Sequence, residues 1–120
     1  MDLVLRLYQA TLNTFRGLTW ATRSEAALRQ ELVALVIAIP LGLVLAPSPG
    51  WYLAMVGILI LAASVELLNT AIEKLSDHIT REHHPQIGVV KDMGSAAVFC
   101  VLCLGALIWM TALALRFGLL

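Results

Sequence analysis

The chain has 120 residues, 60% of them hydrophobic and 13% charged, and its eight basic and eight acidic side chains cancel. That length suits one domain, 1–120, while so apolar a composition excludes an ordinary water-soluble globule and points to a bilayer as the solvent. A net charge of zero leaves no electrostatic footprint for nucleic acid, so the information lies in where the charges sit.

Residues 2–21 are predicted to form an amphipathic helix. At 100° per residue Asp2, Arg6, Gln9, Asn13 and Arg16 fall within about 80° of one another, while Leu3, Leu7, Tyr8, Phe15 and Leu18 lie elsewhere on the circle. Such a helix lies in the membrane interface. Asp2, Arg6 and Arg16 interrupt any secretory leader pattern, so the segment is expected to stay with the protein.

Thr22-Arg-Ser-Glu25 has the form of a capping box, with Glu25 four residues ahead of Arg29 as an ion pair, and predicts the start of a second helix. No charge occurs from Leu32 to Ala46, so a first span is expected over 28–46, kinked at Pro40 and Gly42. Ala46-Pro-Ser-Pro-Gly50 reads as a tight, uncharged hairpin. Trp51 and Tyr52 anchor a second span, 51–72, whose helix continues to about Ile79. From His78 to about Val90 a polar connection containing Pro85 and Gly88 is expected, then a third span over 93–115 that ends at Arg116. Arg6, Arg16, Arg23 and Arg29 precede the first span, the hairpin carries no basic residue, and Lys74, Arg81 and Lys91 flank the second connection. The positive-inside rule therefore makes the N-terminus and the Glu73–Asp92 segment cytoplasmic and the C-terminus external. Cys100 and Cys103 lie inside an apolar run with no second cysteine pair, and read as small packing residues.

The polar stretch Glu66-Leu-Leu-Asn69-Thr-Ala-Ile-Glu73-Lys-Leu-Ser-Asp77 begins after fifteen uncharged residues. Glu66, Asn69, Glu73 and Asp77 share a stripe about 80° wide. A carboxylate at such depth costs about 2.5–3.5 kcal/mol on insertion scales, which makes it a functional candidate. Glu66 and Glu73 lie about 10.5 Å apart along the axis, so one can sit in the bilayer while the other meets water. Paired carboxylates with an amide, beside Lys91 and Asp92 and with Glu25 and Glu31 on the preceding helix, suit a Mg2+ ion whose remaining ligands are phosphate oxygens and water. The chain has neither GxxxxGK[ST] nor GxGxxG, so phosphoryl transfer would rest on side chains, positioning and metal.

Glu66-Leu-Leu-Asn69-Thr-Ala-Ile-Glu73, Lys91-Asp92-Met-Gly-Ser95-Ala-Ala-Val and Glu25-Ala-Ala-Leu-Arg29-Gln-Glu31 together resemble the prokaryotic diacylglycerol kinase family of small integral membrane kinases. The resemblance covers nearly the whole chain from about Arg6. It implies an all-α membrane protein of three transmembrane helices and an N-terminal interfacial helix, assembled as a homotrimer in the bacterial cytoplasmic membrane with active sites between subunits. It further implies phosphorylation of a lipid alcohol from MgATP. Carried over by motif, Glu66 would be the catalytic base, and Glu25 and Glu73 would hold the metal and ATP. Lys91 and Asp92 would complete the nucleotide site, with Arg6, Glu82, His83 and His84 as further ATP contacts. Glu31, Glu66, Ser95 and Trp109 would contact the lipid, with Asn69 and Asp77 in support. Asn13 and Phe15 depart from the larger aromatics expected on the N-terminal helix. Diacylglycerol is the expected lipid, with undecaprenol, used by a related branch, as the alternative. A small proton-coupled transporter, with Glu66 as its proton site, is the competing reading from a different class.

Overall fold

In the computed structural model, residues 2–120 are described and form four helices: α1 (Leu3–Ser24), α2 (Ala26–Leu45), α3 (Pro49–Ile79) and α4 (Pro85–Arg116). The last three are long and apolar enough to cross a membrane. At 31 residues, α3 is about 46 Å long, well beyond the hydrocarbon thickness of about 30 Å, so its polar end extends past the core.

The first junction differs from the expected capping box. α1 continues through Ser24, and Glu25 alone is extended (φ −116°, ψ 115°) before α2 begins, with no side-chain cap. Arg29 explains the difference. Its Nη1 donates to the carbonyls of Thr22 and Arg23, 3.0 Å each, filling acceptors that the end of α1 leaves open. Glu25 therefore does not pair with Arg29 and turns to Lys74 instead, 3.8 Å away. At the hairpin, Ser48 accepts from the Trp51 backbone N–H and Pro49 takes the first helical position. The second connection is shorter than expected. α4 is helical from Pro85, whose ring suits a first turn, and His84 caps it by accepting from the Gln86 N–H at 3.2 Å.

α3 is the central helix, with Met55, Ile58, Ala62, Ala63, Glu66, Asn69, Thr70 and Ser76 buried. Ala21, Leu28 and Ala63 join α1, α2 and α3, while Ile58, Ala62 and Val101 join α3 to α4. Three side-chain bonds tie the apolar half together. Tyr52 lies against Gly42, where a Cβ would come within 3.1 Å of the ring, and donates to the Ile39 carbonyl at 3.0 Å. Trp109 Nε1 donates to the Met55 carbonyl at 3.1 Å, and Arg116 Nε to the Val44 carbonyl at 3.2 Å.

The radius of gyration, 17.7 Å, exceeds the roughly 14 Å of a compact domain of this length, and the thinnest dimension is 23 Å, about two helix diameters. So flat a body leaves large apolar side chains uncovered, Phe99, Leu107 and Met110 among them. Cys100 and Cys103 are free thiols on this uncovered surface. An apolar exterior of this extent requires lipid or another subunit against it.

Candidate active site

Four carboxylates form one electrostatic cluster where α2, α3 and the α1–α2 junction meet. The charges of Glu73 and Glu25 act on Glu66, and that of Glu66 acts on Glu31. Glu66 is buried and faces a cavity of about 330 Å³ lined also by Ala27, Gln30 and Glu31 of α2 and by Val98 and Leu102 of α4. Alanines at 27, 34 and 62 leave the space open. Glu31 Oε2 is buried in it without a hydrogen-bond partner among the described residues. A second, apolar groove of about 450 Å³ shares Ala34, Leu59, Ala62 and Leu102 with the first and extends along the helices to Trp109. A polar head therefore opens directly into an apolar channel.

Toward the polar end of α3, Asn69 Nδ2 donates to Glu73 Oε1 at 3.2 Å. The buried Asn69 Oδ1 has no partner among the described residues and occupies the space that the missing side chain of Gly94 provides, so a Cβ there would collide with it. Gly94 thus lets α4 approach α3 closely enough to clamp the amide that holds Glu73. One turn further, Lys91 Nζ meets Asp77 Oδ1 at 2.6 Å, and this hydrogen bond holds the Asp77 carboxyl below the usual carboxylate range.

The remaining sequence candidates fall in three places. Asp92 and Ser95 are exposed on α4, while Trp109 is half-buried and lines the apolar groove. Glu82 and His83 lie exposed in the α3–α4 connection, and the His84 Nδ1 is spent on its cap. Arg6, nineteen residues before Glu25, is about 28 Å from it along α1, so a single chain does not bring it to the carboxylates.

One side chain beside the cluster escaped the sequence reading as a site residue. Lys74 reaches Glu25 Oε1 at 3.8 Å with its Nζ 5.2 Å from the centre of the Trp20 ring. Its place directly after Glu73 was the only signal for it. Among the described residues no group of three or more His, Cys, Asp or Glu forms a closed metal cage. Carboxylates such as those of Glu25 and Glu73 are hard oxygen donors, of the kind that suits an ion keeping water and substrate oxygens as its other ligands.

The sequence profile described as "Prokaryotic diacylglycerol kinase" matches residues 12–113. A diacylglycerol kinase from Pseudomonas aeruginosa is 41% identical over 108 residues, covering 90% of this chain and 88% of that one. Diacylglycerol kinases from Haemophilus influenzae (36% over 103 residues; 86% and 87% covered) and Escherichia coli (35% over 113; 94% and 93%) are similar along nearly their whole length. With four helices, three of them able to span a membrane, and a carboxylate cluster at the head of an apolar channel, the chain belongs to the prokaryotic diacylglycerol kinase family.

Proposed function

We infer that this chain is a diacylglycerol kinase, an integral membrane enzyme that transfers the ATP γ-phosphoryl group to the hydroxyl of diacylglycerol and gives phosphatidic acid. The observation that carries this reading is the position of Glu66, buried at the junction between a carboxylate-lined cavity and an apolar groove that ends at Trp109. Acyl chains suit the groove, and the glycerol hydroxyl then reaches the level of Glu66.

Glu66 acts as the base. Its carboxylate takes the hydroxyl proton as the oxygen forms a bond to the γ-phosphorus and the bond to ADP breaks. Glu31, whose buried Oε2 has no partner among the described residues, lines the same cavity and borders the glycerol head there. Glu25 and Glu73 hold Mg2+, and Asn69 fixes the rotamer of Glu73. The ion supplies charge neutralisation at the transferring phosphoryl group. Lys91 and Asp92 border the nucleotide on α4, with Lys91 oriented by Asp77, and Ser95 and Trp109 face the lipid.

The flat, uncovered chain is one subunit of a homotrimer whose sites are completed between subunits, which also brings a neighbour's Arg6 and the Glu82–His84 connection to the nucleotide. The N-terminus and the α3–α4 connection face the cytoplasm of the bacterial inner membrane, and the C-terminus lies outside. The test offers radiolabelled ATP with diacylglycerol, undecaprenol and ceramide side by side to the purified protein. Label in phosphatidic acid is expected. Label in undecaprenol alone would move the protein to the related branch, and no lipid labelled by protein that binds ATP would reject the kinase reading.

A further inference from the structure

Lys74 is the basic side chain seen on one of the carboxylates assigned to the metal. Its Nζ lies 3.8 Å from Glu25 Oε1, at the outer edge of an ion pair, and no hydrogen bond holds it among the described residues. An ammonium has three N–H donors, so all three are available here. The side chain is 52% exposed and its ammonium lies over the Trp20 ring, 5.2 Å from the centroid, a contact that narrows the rotamers it must give up on meeting a ligand. It also lies at the edge of a largely apolar groove of about 790 Å³ between α1 and α3, lined by Leu18, Trp20, Leu67 and Leu75.

Two other basic residues near the cluster, Lys91 and Arg29, are already engaged. Lys91 is bonded to Asp77 at 2.6 Å, and Arg29 closes the end of α1 through two carbonyls. A polyphosphate brought to Glu25, Glu66 and Glu73 meets like charge, and one Mg2+ offsets only part of it. Lys74 has the position, the free donors and the reach to offset more.

Building on the kinase reading above, we propose that Lys74 is a phosphate-binding residue of the nucleotide site, which neutralises Glu25 while the site is empty and turns its ammonium to the donor's phosphates when Glu25 binds the metal. The two roles give opposite signs on removal. Without Lys74, Glu25 loses a competitor, so a divalent cation offered alone binds more tightly. The nucleoside triphosphate loses a charge-assisted contact, so MgATP binds more weakly.

The experiment uses the full-length purified oligomer as wild type, Lys74→Gln and Lys74→Arg. Mn2+ affinity is read by electron paramagnetic resonance without nucleotide, and MgATP affinity by calorimetry. For Lys74→Gln the expected result is Mn2+ bound roughly two- to five-fold more tightly, the scale of an exposed ion pair, and MgATP bound about tenfold more weakly, with KM for ATP rising and kcat at saturating ATP little changed. Lys74→Arg restores MgATP affinity. If Lys74 only ties α1 to α3, both affinities fall together, which overturns the proposal, as does wild-type MgATP affinity in Lys74→Gln. Failure of the wild type itself to bind MgATP rejects the kinase reading instead.

Discussion

Replacing Gly94 by alanine puts a methyl group into the space that Asn69 Oδ1 fills. Neither partner has an easy escape, because Gly94 and Asn69 are both buried and the new Cβ would also stand 3.3 Å from Asn69 Cγ. Overpacking of this kind costs about 1–3 kcal/mol. The amide must rotate away, and its 3.2 Å bond to Glu73 goes with it. A hydrogen bond to a charged group contributes about 1.5–3 kcal/mol, and the lower end applies because Glu73 is half-exposed and water substitutes in part. At about 1.4 kcal/mol per decade, the loss amounts to roughly a tenfold weaker hold on Mg2+. The assay is the Mg2+ dependence of turnover at fixed ATP, with thermal unfolding of the same oligomer. Gly105→Ala is the control on the same helix, since its Cβ would meet Ile58 at an ordinary 3.6 Å. In an Asn69→Ser background, which removes the obstacle, Gly94→Ala should cost little more. Wild-type Mg2+ dependence in Gly94→Ala would refute the clamp.

Glu73→Gln should weaken metal and nucleotide binding more than it slows chemistry, so raised Mg2+ recovers part of the rate; unchanged Mg2+ dependence counts against its assignment. Lys91 depresses the folded-state carboxyl of Asp77, so the stability this gives is present at neutral pH and is lost as pH falls below the unfolded value of about 3.9 toward the depressed one. Thermal scans from pH 7 to 3 should therefore find wild type more stable than Asp77→Asn at the upper end, with the gap closing below about pH 4; a constant gap contradicts the pairing. Cys100→Ala with Cys103→Ala should remain active, because both thiols are free and exposed on the apolar surface of α4; lost activity with assembly intact would show a role for them.

The spans and the Glu66 stripe were legible because depth in a bilayer is written in uncharged runs, and helical spacing alone puts Asn69 and Glu73 on one face. The α1–α2 junction was not. Thr22 to Glu25 has a local capping pattern, yet Arg29 reaching back to two carbonyls decides how α1 ends, and that follows from the angle between helices. The start of α4 was available in His84-Pro85, a cap followed by a proline at the first helical position, but Pro85 and Gly88 were read as loop residues. Lys74 and Gly94 act across helices. One meets Glu25 only because the junction brings it over α3, and the other matters only because α4 presses on Asn69, neither of which any local pattern encodes.

The central claim is that Glu66 is the base, and the most direct measurement is turnover together with nucleotide affinity on one preparation of Glu66→Gln. The amide keeps the size of the side chain and removes its basicity, and a neutral group at that depth is cheaper than a carboxylate, so folding survives. Turnover is expected to fall by about 10² to 10⁴ while MgATP binds as it does to wild type, because the donor's metal is assigned to Glu25 and Glu73. Wild-type turnover in this variant would remove Glu66 from the mechanism, and weak ATP binding with normal turnover at saturation would make it a ligand instead of a base.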